Sequence, residues 1–347
     1  MQDSSERCKI IVDAMGGDYA PENAVVGAIQ ASMVNPGFDL FLVGREKDIL
    51  KVIKDKNLSF DSSKIIHAED VVEMGDSPTD AIKKKPNSSI VVGAKYVKER
   101  KAHAFVSAGN TGAMMAASTI IMGRLQNVGR PTIGAEFPSV NGICYLFDVG
   151  AGKDAKPVHL FEYAVMGTIF ARELGGVSNP SVGVLSMGEE ESKGNEVSTA
   201  AYKMLQDSKL NFIGNVEGRD ILTGKVDVVV CDGFIGNIIL KFGESVPKLL
   251  KHLLKETAEK NFFDKIKIGL IKGTLKRALK NLDYQEHGGV PLLGVNGISI
   301  IGHGSSTPKA IRNMVYRAYD MYKKNLNQKI ESSLKEYLNI IDEKEIK

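Results

Sequence analysis

The chain has no tryptophan, 3 cysteines and 11 prolines in 347 residues. Cys8, Cys144 and Cys231 lie far apart and form no CxxC pair, which argues against a disulfide framework and against a cysteine zinc site. No apolar run approaches the ~20 residues that span a bilayer. The opening MQDSSERCKIIVDAMGGD shows neither the basic stretch nor the apolar run of a secretory signal, so a cytoplasmic protein is expected. An excess of one charge sign is missing too. Lys+Arg number 45 and Asp+Glu 42, a net of +3, which gives no reason to expect a nucleic-acid partner. There is no GxxxxGK[ST], HExxH or GxSxG, and no GxGxxG on a strand-to-helix turn. Nucleotide hydrolysis, zinc proteolysis and serine-hydrolase chemistry all lose ground.

Glycine, by contrast, is plentiful at 35 residues. Hydrophobic residues make up 43 %, enough for a large core in a chain of this length, so disorder is excluded. Short apolar runs rich in β-branched residues recur between glycines and polar turns. They are residues 10–12, 39–43, 65–67, 104–106, 133–136, 144–147, 181–185, 212–213 and 226–230. Continuous rather than alternating apolarity suits parallel strands buried on both faces. Helical stretches lie between them, over 22–33, 47–54, 88–99, 112–122, 157–174, 197–205 and 235–254. The alternation predicts a three-layer α/β/α fold with a mostly parallel sheet. We expect one catalytic domain over 8–327, followed by a charged C-terminal helix or tail over 328–347.

In such sheets ligands sit at the carboxyl ends of strands, so the loops there carry the candidates. Asp13, Gly16, Gly17 and Asp18 follow the first strand; they suit either a capped tight turn or a loop where backbone meets a ligand. Asn110, Thr111 and Gly112 open a helix after a strand, which suits an anion or simply a good cap. Lys193 stands among carboxylates before Asn195, either solvated or aimed at an anionic substrate. Asp232, Gly233, Gly236 and Asn237 form the clearest strand-then-loop signal. Cys231 continues the apolar run before them and reads as a buried small hydrophobe, not a nucleophile. His287 and His303 sit in glycine loops, where an imidazole can move a proton near neutral pH.

A segment over 247–286 differs from the rest. It has no strand pattern and carries helical apolar spacing at Leu249, Leu250, Leu253 and Leu254. From Lys248 to Lys280 ten basic residues face Glu256, Glu259 and Asp264, a local charge of about +7. The whole-chain balance is therefore a cancellation between a basic helical segment and an acidic remainder.

Read in order, DAMGGD, SAGNTGA, GRP (129–131), DVGA (148–151), EEESKGNE, FIGNVEGRD (212–220), CDGFIGN, GGVPLLG and HGSS resemble the bacterial acyl-acyl carrier protein:phosphate acyltransferase family of phospholipid synthesis. These motifs span Asp13 to Ser306. The chain departs from the family pattern at Tyr19, where histidine is frequent, at Gly152, where asparagine is usual, and at Ser186-Met187. The resemblance implies conversion of a fatty acyl thioester of acyl carrier protein and inorganic phosphate to an acyl phosphate, which feeds a glycerol-3-phosphate acyltransferase. It implies a fold similar to the isopropylmalate dehydrogenase and phosphotransacetylase group. It also implies a homodimer and reversible contact with anionic membrane at the inner face of the cell membrane.

On that reading, phosphate attacks the thioester directly and no cofactor or metal is expected. Lys193 would bind phosphate, and Asn237 would donate to the oxyanion. Asp232 would orient Lys193 or a histidine, and His303 or His287 would protonate the leaving thiolate. Asp13, Gly16, Gly17, Asp18, Asn110, Thr111, Gly112, Asn195, Gly233 and Gly236 would surround the substrates. Leu253, Leu254, Phe262, Phe263, Lys265, Lys267, Leu270, Lys272, Lys276 and Arg277 would meet membrane or carrier protein. Rival readings are a phosphotransacetylase-like acyl-coenzyme A enzyme, a dehydrogenase needing NAD and a metal, and a catalytically silent adaptor.

Overall fold

A computed structural model describes residues 7–152, 154–278 and 288–345. The strands among them are β1 (Cys8–Asp13), β2 (Phe38–Gly44), β3 (Ile65–His67), β4 (Ala104–Ser107), β5 (Thr132–Ser139), β6 (Gly142–Phe147), β7 (Ser181–Leu185), β8 (Asn211–Val216), β9 (Val228–Val230), β10 (Val290–Leu293) and β11 (Ile298–Ile301). They form one 11-stranded sheet in the order β3-β2-β1-β4-β11-β10-β5-β6-β9-β7-β8. Each expected apolar run lies within or overlaps a strand. β10 and β11 were not expected as strands. Each has four residues, glycines flank both, and Pro291 inside β10 removes a ladder donor, so local sequence reads as a loop.

The helices are α1 (Glu22–Val34), α2 (Glu46–Asp55), α3 (Pro78–Lys84), α4 (Ser89–Lys98), α5 (Thr111–Ala117), α6 (Pro157–Glu173), α7 (Glu196–Gln206), α8 (Asp220–Thr223), α9 (Gly233–Lys260), α10 (Phe262–Ala278), α11 (Pro308–Lys323) and α12 (Leu326–Glu345). Burial explains the continuous strand pattern. Ile10 and Val12 join a core with α1, α6, α11 and α12, while Ile11 points into the opposite core with α4 and α5. In β9, Val228 and Val230 face the first core and Val229 the second. A strand covered on both faces has no polar side to show.

Strand direction reverses three times along this order, at β11/β10, β10/β5 and β5/β6, so the two outer groups of strands run opposite ways. β1, β2, β3, β4 and β11 are mutually parallel, and so are β6, β7, β8 and β9. Between these halves β10 is antiparallel to β11 and β5, and β5 is antiparallel to β6. The loops at carboxyl ends of strands therefore fall into two groups, one for each half. The expected tail boundary at 328 falls inside α12, where Leu326, Ile330 and Leu334 are buried in the core and Tyr337 meets Phe161 edge-on.

Candidate active site

In the first half, the loops after β1, β4 and β11 meet. Asp13 is buried, and its Oδ2 accepts from the Ser107 hydroxyl at 2.7 Å while Oδ1 accepts from Met15 N at 3.0 Å. Burial pushes the Asp13 carboxyl up, against the hydrogen bonds from Ser89, Ser107, Met15 and Gly16 that pull it down. Gly16 has to lack a side chain: a Cβ would stand 2.7 Å from Asp13 Oδ2 and 2.7 Å from Gly109 N. Asp18 N donates to Gly304 O at 2.8 Å, tying in the loop after β11, and Gly17 abuts the same carbonyl. His303 Nδ1 accepts from Ser305 N at 3.1 Å, so the exchangeable proton of its neutral ring lies on Nε2.

Asn110 does a different job from the expected one. Its Oδ1 caps α5 by accepting from Ala113 N at 3.0 Å. Its Nδ2 donates to the carbonyls of Glu73, Met74 and Asp76 at 3.0–3.2 Å. Those bonds occupy the side chain, which braces the 73–76 loop against α5 instead of offering an amide to phosphate. Thr111 is exposed beside it, and Gly112 packs on the Pro78 ring.

In the second half, β6 and β9 are parallel neighbours, and the loops at their carboxyl ends interlock. Asp148 is fully buried and accepts from Ile133 N and Ala151 N at 3.0 Å and from Gly152 N at 2.9 Å. Asp232 Oδ1 accepts from Phe234 N and Ile235 N at 3.0 Å, capping α9. It thereby fixes the turn that carries Asn237, and Asn237 Oδ1 lies 3.6 Å from the Cβ position of Gly150. Gly233 and Gly236 are buried where this turn sits on the 148–152 loop. Cys231 is buried as expected, with its thiol pushed well up by desolvation.

The third loop follows β7, the other parallel neighbour of β9. Asn215 Nδ2 donates to Glu190 O at 2.7 Å and Lys193 O at 3.3 Å, and Asn195 caps α7 through Ser198 N at 2.8 Å. Lys193, on the loop after β7, and Asn237, near the start of α9, are both exposed at the same edge of the sheet. Among the described residues no hydrogen bond or ion pair joins Lys193 to Asp232, so the expected orienting contact is not part of this arrangement. Two buried polar atoms here, Ser186 Oγ and Asn215 Oδ1, have no hydrogen-bond partner among the described residues. Such atoms are rare in native folds and suit a site that takes up water or ligand. A cavity of about 560 Å³ lies elsewhere, at the amino ends of β6 and β9 beside Arg317 and Glu136. The chemistry-bearing loops are at the other ends of those strands, so this cavity is not the candidate site.

His287 lies outside the described residues, as do the side chains of Lys272, Lys276 and Arg277. Asp148, in the DVGA motif, is a buried site-loop residue with no role assigned from sequence. Its signal, an aspartate at a strand end followed by glycine, is the one that marks Asp13 and Asp232.

The α/β/α fold is similar to that of solved phosphotransacetylases. A EutD phosphotransacetylase from Staphylococcus aureus superposes with TM-score 0.58 at 17 % identity, covering 90 % of this chain and 94 % of that one. A phosphotransacetylase from Streptococcus pyogenes gives 0.57 at 16 % identity, covering 94 % of both. The sequence profile described as fatty acid synthesis protein matches residues 8–329, and the chain belongs to that family. Relatives named phosphate acyltransferase include one from Halothermothrix orenii, 45 % identical over 320 residues, 92 % of this chain and 96 % of that protein. Another, from Heliobacterium modesticaldum, is 47 % identical over 306 residues, 88 % of this chain and 91 % of that protein.

Proposed function

We propose that this protein transfers a fatty acyl group from the phosphopantetheine thioester of acyl carrier protein to inorganic phosphate. The observation that carries the reading is the near full-length match to phosphate acyltransferases, on a chain whose polar loops stand at strand carboxyl ends. A phosphate oxygen attacks the thioester carbonyl carbon, the C–S bond breaks, and the proton of hydrogen phosphate ends on the carrier thiol. The products are acyl phosphate and free carrier protein, and the acyl phosphate then serves a glycerol-3-phosphate acyltransferase. Lys193 binds phosphate and the developing charge, and Asn237 donates to the oxyanion. Protonation of the leaving thiolate falls to His303 or His287 in this reading.

The α9–α10 hairpin supports the proposed contacts. Phe234, Ile238, Phe242, Val246, Leu249 and Leu253 recur at helical spacing along α9 and are 46–71 % exposed, a stripe suited to a second copy of the chain. Phe262, Phe263 and Leu270 are exposed on α10 among Lys265 and Lys267, which suits an anionic surface. Leu254 is half-buried. No helix among the described residues is long and apolar enough to cross a membrane. We propose a cytoplasmic homodimer that attaches reversibly to the inner face of the cell membrane through this hairpin.

Palmitoyl-acyl carrier protein and phosphate should give a hydroxylamine-trappable acyl phosphate. A product from acetyl-coenzyme A alone would favour a phosphotransacetylase, and no phosphate-dependent product from either donor would overturn the acyl-transfer reading.

A further inference from the structure

Arg130, in the GRP motif, has no part in the chemistry above. The backbone that carries it is clamped from two sides. Gly129 N and Arg130 N both donate to Glu162 Oε2, at 3.0 and 3.3 Å, and Glu162 is buried on α6. The Arg124 guanidinium donates to Gly129 O from the other side. The clamp directs the Arg130 side chain across the 148–152 loop, where Nη1 donates to Asp154 O at 2.6 Å.

The guanidinium occupies the space above Gly152. A Cβ on Gly152 would stand 2.3 Å from Arg130 Cζ, 2.4 Å from Nε and 2.5 Å from Nη2. On its other side Gly152 supports α9: its carbonyl oxygen is 2.5 Å from the Cβ position of Gly233, and its N–H donates to Asp148 Oδ2 at 2.9 Å. One glycine residue thus separates a guanidinium from the helical turn that carries Asn237. Among the described residues, no carboxylate forms an ion pair with Arg130, and its side chain makes one hydrogen bond, to Asp154 O. A guanidinium has five N–H donors in a planar fork that matches an oxyanion of phosphate geometry.

We propose that Arg130 binds the phosphate substrate at the carboxyl ends of β6 and β9, with its guanidinium in the space that Gly152 leaves open in this chain. Identifying the anion as phosphate rests on the acyl-transfer reading above. The role is binding, at the edge of the sheet that also carries Lys193 and the start of α9 with Asn237, and the Glu162 clamp positions it.

Two measurements on the full chain test this: calorimetric titration with inorganic phosphate in the absence of acyl donor, and KM for each substrate. Arg130→Ala should weaken phosphate binding and raise its KM about ten-fold or more, as expected for a lost charge-assisted hydrogen bond, and leave the acyl-donor KM nearly unchanged. Arg130→Lys, which keeps the charge and loses the fork, should fall between. Gly152→Ala displaces the guanidinium and should weaken phosphate binding in the wild type but add nothing in the Arg130→Ala background. Unchanged phosphate binding in Arg130→Ala, an equal rise in both KM values, or an additive Gly152→Ala effect would each overturn the assignment. If Arg130→Ala does not fold, Arg130→Lys and Gly152→Ala decide alone, and normal phosphate KM in both overturns it. Absence of phosphate-dependent acyl transfer by the wild type would sink the activity reading instead, and the titration would still report on Arg130.

Discussion

The carbonyl oxygen of Asp148 occupies the space where any side chain at position 236 would begin: a Cβ on Gly236 would stand 1.8 Å from it. The first turn of α9 is pressed directly on the loop after β6, backbone on backbone. This contact sets where Asn237 emerges from the sheet edge.

Gly236→Ala therefore separates two effects of opposite sign. Helix propensity alone would favour alanine by about 1 kcal/mol. The clash involves backbone that cannot swing aside, which puts it at the upper end of the about 1–3 kcal/mol that overpacking costs. Urea denaturation should show a clear net loss of stability. A stabilised variant would mean that the turn does not sit on Asp148 O.

Lys193→Ala should lower turnover by about 10²–10³, the range for removing one preorganised donor at a developing oxyanion. The side chain is exposed, so its removal should leave the unfolding midpoint nearly unchanged. Near-normal acyl phosphate formation would remove Lys193 from the proposed chemistry.

Glu162 gives a pH-dependent signature. Burial raises its pKa from 4.5 to about 6, although hydrogen bonds from Gly129 and Arg130 and the Arg124 charge pull it down. A raised acid binds its proton more tightly when folded, so the folded chain holds more protons than the unfolded one between about pH 4.5 and 6. The stability this group contributes is greatest below that window, falls as pH rises through it and is level above. The change is at most about 2 kcal/mol. Glu162→Gln keeps an acceptor for Gly129 N and Arg130 N and should lose this slope. Parallel stability profiles for the two proteins from pH 4.5 to 6.5 would count against it.

The α9–α10 hairpin should bind vesicles rich in anionic lipid and release them at high salt. Lysines near such a surface contribute about 1 kcal/mol each. Phe262→Ser combined with Phe263→Ser should weaken recovery on sedimentation, because the 70 and 73 % exposed rings lose their apolar partner phase. Equal recovery on neutral and anionic vesicles would rule out the electrostatic contribution.

Much of this was legible along the chain. Runs such as Ile10 to Val12 and Val228 to Val230 identify buried strands because their pattern reflects burial on both faces, a local consequence of the three-layer arrangement. The strand-end loops announce themselves through glycine and aspartate, because turns and caps have local residue requirements. β10 stayed hidden because its pairing with β11 and β5 depends on residues far away in sequence, while Pro291 and the flanking glycines speak for a loop.

By itself, then, the sequence determined the layers, most strands, the glycine- and aspartate-marked loops at strand ends and the family, all of which rest on local patterns or ordered motifs. Only the tertiary structure decided which loops meet. It committed Asn110 to three carbonyls of the 73–76 loop, made Asp232 a helix cap, and carried Arg130 across Gly152 to the base of α9. The reason is physical: hydrogen-bond partners and close backbone approaches are set by the pairing of distant strands, and the spacing of residues along one segment carries no record of them.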